Sequence, residues 1–300
     1  MYFDTSWYTY NGKGKVPEGH EYDARGEQGR YLADEKLVTA VNTALTVEQP
    51  LLVVGESGTG KTSLAWSVAS ELGLLPVLTF HTRSDHRARD VLFVVDHLRR
   101  FYDAHVGDER AKDFGNYVTL QALGEAIVSD RPRVLLIDEI DKAPRDFPND
   151  LLDVVDKMEF TIPGLRAEPF RAQYRPIVII TSNNERQLPD PFLRRCVFHY
   201  IDPPGRTRLQ EIVRERLGHL NVADALIRVA TDRFLEFRYK KLRLDKPPST
   251  GELLAWVRVL VRAGVPFEEL KQLPLSEVPF VGTLIKNKSD LDRLAPSAGS

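Results

Sequence analysis

The chain has 300 residues, 42% of them apolar, and 41 basic against 43 acidic side chains leave a formal net charge of -2. This length and composition support one α/β domain and a smaller domain. The near-neutral charge excludes a chain-wide attraction to nucleic acid or to an anionic membrane surface. The only cysteine, Cys196, excludes an internal disulfide and favours a reducing compartment. No apolar run is long enough to span a bilayer. The sequence therefore predicts a cytoplasmic protein without a membrane contact.

Short apolar runs alternate with helical patterns through the first two thirds of the chain. Residues 1–28 lack periodicity and are predicted to form an irregular extension, and residues 31–45 have helical spacing. Short apolar strands separated by helices are typical of a parallel sheet that is covered on both faces. The predicted strands are LLVV (51–54), PVLTF (76–80), RVLLI (133–137), PIVIIT (176–181) and CVFHYI (196–201).

The character of the sequence changes at the pair Pro203-Pro204. The segments 206–217, 222–237 and 250–261 have helical spacing, and no central strand follows them. The sequence therefore predicts an α/β core at 29–203, followed by a small all-helical domain and a tail at 204–300.

The segment GESGTGKT (55–62) lies between the predicted strand LLVV and the helical pattern SLAWSVASEL. In this setting the motif G-x-x-x-x-G-K-[ST] binds nucleotide phosphates through backbone N–H groups and the helix N-terminus. The lysine of the motif is predicted to reach the β- and γ-phosphates, and the threonine hydroxyl to ligate Mg²⁺. The predicted phosphate-binding residues are Gly55, Glu56, Ser57, Gly58, Thr59, Gly60, Lys61, Thr62 and Ser63.

The run VLLIDEID (134–141) narrows the class of nucleotide-binding protein. An apolar strand that ends in adjacent acids places Asp138 near a metal held by Thr62, and leaves Glu139 to polarise a water that attacks the γ-phosphate. A GTPase would need an Asn-Lys-x-Asp guanine-binding motif, and the sequence has none. The pattern therefore favours an ATPase that uses Mg²⁺. Asp141 and Lys142 are predicted to cap or brace the turn that follows.

Two later motifs extend the predicted site. PIVIITSNN ends a strand in polar amides, and Asn183 is predicted to orient the attacking water, with Asn184 as the weaker candidate. LPDPFLRRCVFHY places Arg194 and Arg195 between a short helix and a strand. This order of motifs predicts an arginine that reaches the nucleotide of a neighbouring subunit.

The order of GESGTGKT, VLLIDEID, ITSNN and LPDPFLRRC resembles the AAA+ ATPases, and within them the MoxR-like branch, over about residues 30–265. The resemblance implies a P-loop core with a five-stranded sheet, a C-terminal helical lid, and a ring, usually of six subunits, with ATP at each interface. It also implies remodelling of a partner protein, often one that carries a von Willebrand factor A domain. The family's L-D-R-F element aligns with residues 193–196, which makes Arg195 the preferred finger and puts Cys196 at the Phe position.

Two segments resemble insertions of this branch. Residues 158–176 are predicted to form a hairpin, and residues 81–120 exceed the length of a simple strand-to-helix connection. The basic residues of the second segment alternate with Asp85 and Asp90, which weakens any local attraction to phosphate and argues against nucleic acid as a partner. These basic residues are Arg83, His86, Arg87 and Arg89.

One feature departs from the family pattern. Many AAA+ proteins carry a lid arginine that contacts the γ-phosphate, but the matching stretch here is KPPSTGELLAWVRVL, with no arginine in the first turn of the helix. Ser249 and Glu252 are predicted to form a capping box. Lys246 and a backbone N–H group are the alternatives for the missing arginine.

Two hypotheses stay open beside a Mg²⁺-dependent ATPase that remodels a partner protein. One is an ATP-switched scaffold with little turnover, and the other is a nucleic-acid motor.

Overall fold

The computed structural model describes residues 8–13, 31–165, 167–239 and 244–294. They divide into two compact units. The first contains residues 8–13, Ala33–Gly55 and Lys61–Ile201, and the second contains residues 31–32, Glu56–Gly60 and the described residues from Asp202 onward. The loop Glu56–Gly60 thus groups with C-terminal residues, although it lies inside the range 29–203. Most of the predicted 1–28 extension lies outside the described residues.

The first unit is an α/β layer structure. Its long elements alternate between strand and helix, as the sequence predicts. In chain order they are α1 (Glu35–Val47), β1 (Leu51–Gly55), α2 (Lys61–Glu71), β2 (Leu78–His81), β3 (Phe93–Val95), α3 (His97–His105), β4 (Val118–Leu120), α4 (Ala122–Val128), β5 (Val134–Asp138), α5 (Phe147–Lys157), β6 (Glu159–Phe160), β7 (Phe170–Arg171), β8 (Ile177–Ser182), α6 (Asp190–Leu193) and β9 (Val197–Ile201).

The central sheet has five parallel strands in the order β2-β5-β8-β1-β9. β1 and β5 are buried along their whole length, as expected of inner strands in a parallel sheet that helices cover on both faces. The register pairs Val54 with Ser182 and Ile137 with Ile180. The carboxyl ends of β1, β5 and β8 therefore lie side by side at one edge of the sheet.

Helix α1 shows how local signals set an element's ends. The Asp34 side chain accepts a hydrogen bond from the Leu37 backbone N–H at 2.7 Å, which caps the N-terminus. Glu48 ends the helix in the left-handed conformation.

Residues 8–13 pack in this unit without regular secondary structure, and the fully buried Tyr10 places its hydroxyl 2.9 Å from Ser67 Oγ.

Both predicted insertions contain short antiparallel pairs. β3 pairs with β4, and helix α3 lies between them in the chain. β6 pairs with β7 through Glu159 with Arg171 and Phe160 with Phe170, which is the hairpin expected in 158–176. Each strand has only two or three residues, too few to show a side-chain period in the sequence.

The second unit is helical. Its helices are α7 (Arg206–Leu217), α8 (Asp224–Tyr239), α9 (Thr250–Arg262), α10 (Phe267–Gln272) and α11 (Lys288–Leu294). They share a core in which Trp256 and Phe234 are buried, and the Trp256 indole N–H donates to Pro279 O at 2.8 Å. Ser249 and Glu252 form the predicted capping box at the start of α9. The predicted fold class, an α/β core with a five-stranded parallel sheet and a C-terminal helical region, is confirmed.

Within the described ranges, no helix combines the length and the apolar content that crossing a lipid bilayer requires.

Candidate functional site

The loop between β1 and α2 ends in a buried lysine. Gly58 and Gly60 have φ angles of +77° and +91°. Residues other than glycine rarely adopt such positive φ angles. Lys61 is the first residue of α2 and is only 5% exposed, and its Nζ donates to Gly55 O at 2.8 Å. A buried ammonium group beside a helix N-terminus suits an anionic ligand.

Asp138 lies at the carboxyl end of β5 and is buried. Its Oδ1 accepts hydrogen bonds from the hydroxyls of Thr62 at 3.0 Å and of Thr181 at 2.6 Å. Its Oδ2 lies 3.2 Å from His81 Nδ1. The predicted pair of metal ligands, Thr62 and Asp138, is therefore brought together, although the two residues are 76 positions apart in the chain.

Glu139 has an unusual backbone conformation. Its φ of 56° and ψ of 51° lie in the left-handed region, which costs a residue other than glycine about 1–3 kcal/mol and is concentrated at functional sites. Its backbone N–H donates to Thr181 Oγ1 at 2.9 Å. Thr82 Oγ1 donates to the carbonyl groups of Asp138 and Glu139. These contacts hold the backbone of Glu139 in position.

Two polar side chains hold the Glu139 carboxylate. Asn183 Nδ2 donates to Oε1 at 3.1 Å, and Lys142 Nζ donates to Oε2 at 2.5 Å. The hydrogen bond to Glu139 raises the pKa of the Lys142 ammonium group above its ordinary value, so Lys142 is charged at neutral pH. Glu139 keeps about a third of its side-chain surface exposed, so water can reach the carboxylate.

Asp141 has a different role from the one expected. It is 2% exposed, and its carboxylate accepts from the backbone N–H of Asn183 at 3.1 Å and of Glu185 at 2.9 Å. The prediction that Asp141 and Lys142 brace the turn that follows them is therefore wrong. Asp141 orients the loop after β8 that carries Asn183, and Lys142 pairs with Glu139. The second amide candidate, Asn184, donates its backbone N–H to Ser182 Oγ at 3.0 Å.

The two arginines predicted as the finger follow helix α6, and both are exposed. Arg195 Nε lies 2.9 Å from Asp156 Oδ2, and about half of each side chain is exposed. An exposed ion pair of this kind stabilises the fold by about 0–1 kcal/mol. Arg195 can therefore leave Asp156 and bind another anionic group at little cost in free energy. The contacts that join Thr62, Asp138, Glu139 and Asn183 do not include Arg195 or Arg194.

Sequence reasoning missed Thr181 and His81 in this cluster and gave Lys142 a different role. Thr181 bonds to Asp138 and Glu139, His81 approaches Asp138, and Lys142 bonds to Glu139. His81 is the last residue of β2 and Thr181 is the last but one of β8, so both lie at the same sheet edge as Asp138. Their place at the carboxyl ends of parallel strands was the signal that could have identified them.

The arrangement fits a metal-bound polyphosphate. Thr62 and Asp138 offer adjacent oxygen atoms, which are the donors that Mg²⁺ prefers. Lys61 and the backbone N–H groups at the start of α2 suit phosphate oxygens. The Glu139 carboxylate is partly exposed and held in place, as activation of a water molecule requires.

Several known proteins are similar to this chain. It is 31% identical over 197 residues to the Lon protease of Halothermothrix orenii (strain H 168 / OCM 544 / DSM 9562), covering 63% of this chain and 22% of the protease. The chain thus matches about a fifth of that relative's length.

Solved structures are similar over more of the chain. The AAA domain of FIGL-1 in complex with ADP has 16% identity and a TM-score of 0.41, covering 82% of this chain and 70% of that one. A RuvB mutant of Thermotoga maritima has 15% identity and a TM-score of 0.48, covering 84% and 67%.

The sequence profile of the AAA family, described as the ATPase family associated with various cellular activities, matches residues 51–203. This match covers slightly more than half of the chain and contains the segment GESGTGKT (55–62), the strand that ends at Asp138 and the segment with Asn183. The chain therefore belongs to the AAA family of ATPases.

Proposed function

We propose that this protein is a Mg²⁺-dependent ATPase of the MoxR-like AAA+ type, which assembles into a hexameric ring and remodels a partner protein. The observation that carries the proposal is the contact between Glu139 and Asn183 beside the pair Thr62 and Asp138. Four residues from three separate chain segments converge there, and each has a side chain that ATP hydrolysis requires.

The proposed reaction assigns one role to each group. Lys61 and the loop residues Gly55–Gly60 bind the phosphates, while Thr62 and Asp138 hold Mg²⁺. Bound Mg²⁺ supplies positive charge against the phosphate oxygens. Glu139 accepts a proton from the attacking water, and Asn183 orients that water. The products are ADP and phosphate.

Arg195 is proposed to act on the nucleotide of a neighbouring subunit, with Arg194 as the alternative. It precedes β9, an edge strand of the sheet, and it is exposed. When the ring assembles, Arg195 would leave Asp156 of its own chain and contact the γ-phosphate bound by the neighbour.

The proposal also includes a partner protein with a von Willebrand factor A domain and a cytoplasmic location.

Steady-state phosphate release tests the proposal. With Mg²⁺ and excess ATP, each subunit should release many phosphates, and the rate per subunit should rise with protein concentration as rings form. Release that stops at one phosphate per subunit would support a nucleotide-switched scaffold instead. Activity that appears only with added DNA or RNA would support a nucleic-acid motor.

A further inference from the structure

Arg238, in the last turn of α8, contacts the phosphate loop, by which we mean the segment GESGTGKT (55–62). Its side chain is only 8% exposed. Its Nη2 donates to Glu56 Oε2 at 2.7 Å, and its Nη1 donates to Pro248 O at 2.7 Å. Its guanidinium also lies 5.5 Å from the centre of the Tyr239 ring. Arg238 is therefore held in one position, with one nitrogen directed at a carboxylate of the loop.

Glu56 is an unfavourable residue for a loop that binds phosphates. It is the first residue after Gly55 in GESGTGKT, and its carboxylate repels a polyphosphate. The ion pair with the buried guanidinium cancels this charge. Because Arg238 is far less exposed than Glu56, solvent screens the pair less than it screens an ordinary surface pair.

The same loop also packs closely against the start of α9. A Cβ atom placed on Gly58 would lie 2.8 Å from both Cβ and Oγ of Ser249. Glu56, Ser57 and Thr59 line a small cavity together with Arg238 and Ser249. The loop is thus bound by α8 through a charge and by α9 through close packing, all within the second unit.

We propose that Arg238 is a positioning residue that neutralises Glu56 and so keeps the phosphate loop able to accept the phosphates of ATP. The first turn of α9 has no arginine that could contact the γ-phosphate directly. Arg238 instead contacts the loop from α8, and it does so through the carboxylate of Glu56. The inference rests on the proposed nucleotide site.

A cycle of charge variants tests this inference, with ADP in excess Mg²⁺ as the probe and calorimetry as the measurement. Arg238→Ala should weaken ADP binding about tenfold, because Glu56 is left uncompensated. Glu56→Gln should tighten it about threefold, because the Arg238 charge is left in excess. The double variant should return to within about threefold of the unaltered protein. Arg238→Met, which keeps the apolar stem, replaces Arg238→Ala if that variant does not fold.

Ionic strength separates a charge effect from a structural one. The loss of affinity in Arg238→Ala should shrink as salt is raised, because salt screens the uncompensated carboxylate. A double variant as weak as Arg238→Ala, a deficit independent of salt, or weaker binding by Glu56→Gln would each overturn the inference. If the unaltered protein binds no ADP, the proposed nucleotide site itself fails, which is a different result from any of these.

Discussion

Glu139→Gln is expected to keep ATP binding and to slow phosphate release by about 10²- to 10⁴-fold, the usual contribution of a general base. Gln retains the oxygen that accepts from Asn183 Nδ2 but cannot accept a proton from water. The lost ion pair with Lys142 is partly exposed and adds little to stability. Steady-state phosphate release, with ATP binding measured separately by calorimetry, checks this expectation.

Glu185→Gln is the matched control, because it neutralises an exposed carboxylate on the loop that carries Asn183. Its turnover should stay near that of the unaltered protein. Undiminished turnover by Glu139→Gln would move the general base elsewhere. Asp141 would be the next carboxylate to test, although backbone N–H groups of Asn183 and Glu185 already bond to it.

Lys61→Ala is expected to weaken ATP binding by about 30- to 5,000-fold, corresponding to about 2–5 kcal/mol for truncating one partner of a buried charged contact. Lys61 is buried, and its ammonium group lies where the loop meets helix α2. Removing it leaves phosphate charge uncompensated. Calorimetry with ATP measures the loss, and circular dichroism checks that the variant is folded.

Lys36→Ala serves as the control, since it removes an exposed lysine from α1. ATP affinity in this variant should not change. A folded Lys61→Ala variant that binds ATP with unaltered affinity would show that GESGTGKT is not the phosphate site.

The central sheet could be predicted because its strands are buried on both faces. The runs at 51–54 and 134–137 are apolar throughout, and the structure has Leu51–Gly55 and Val134–Asp138 as strands. The capping box of Ser249 and Glu252 was predictable because it is a contact between neighbours in the chain. Signals of these two kinds, burial of a whole segment and local capping, are present in the sequence itself.

The contacts that complete the site are not local. Thr181 bonds to Asp138 across two neighbouring strands, and Arg238 bonds to Glu56 across 182 positions. Sequence spacing carries no information about such pairs, and the role of Asp141 was misassigned for the same reason. The left-handed backbone of Glu139 depends on hydrogen bonds from the surrounding structure, so the residue type did not indicate it.

We propose above all that ATP is hydrolysed at a site completed by Arg195 of a neighbouring subunit. The measurement is phosphate release from a mixture of two inactive variants, Arg195→Ala and Glu139→Gln. The first keeps its base and lacks the finger, while the second lacks the base and keeps the finger. A finger that acts in trans is worth about 10³- to 10⁵-fold in rate, so partial mixing should give activity well above background.

The control mixture combines Arg195→Ala with a double variant that carries both substitutions, and no interface in it has a finger. We expect phosphate release to return in the test mixture at a measurable share of the unaltered rate, and to stay at background in the control. Mixed assemblies demonstrated by subunit exchange, but without recovered activity, would contradict the shared site.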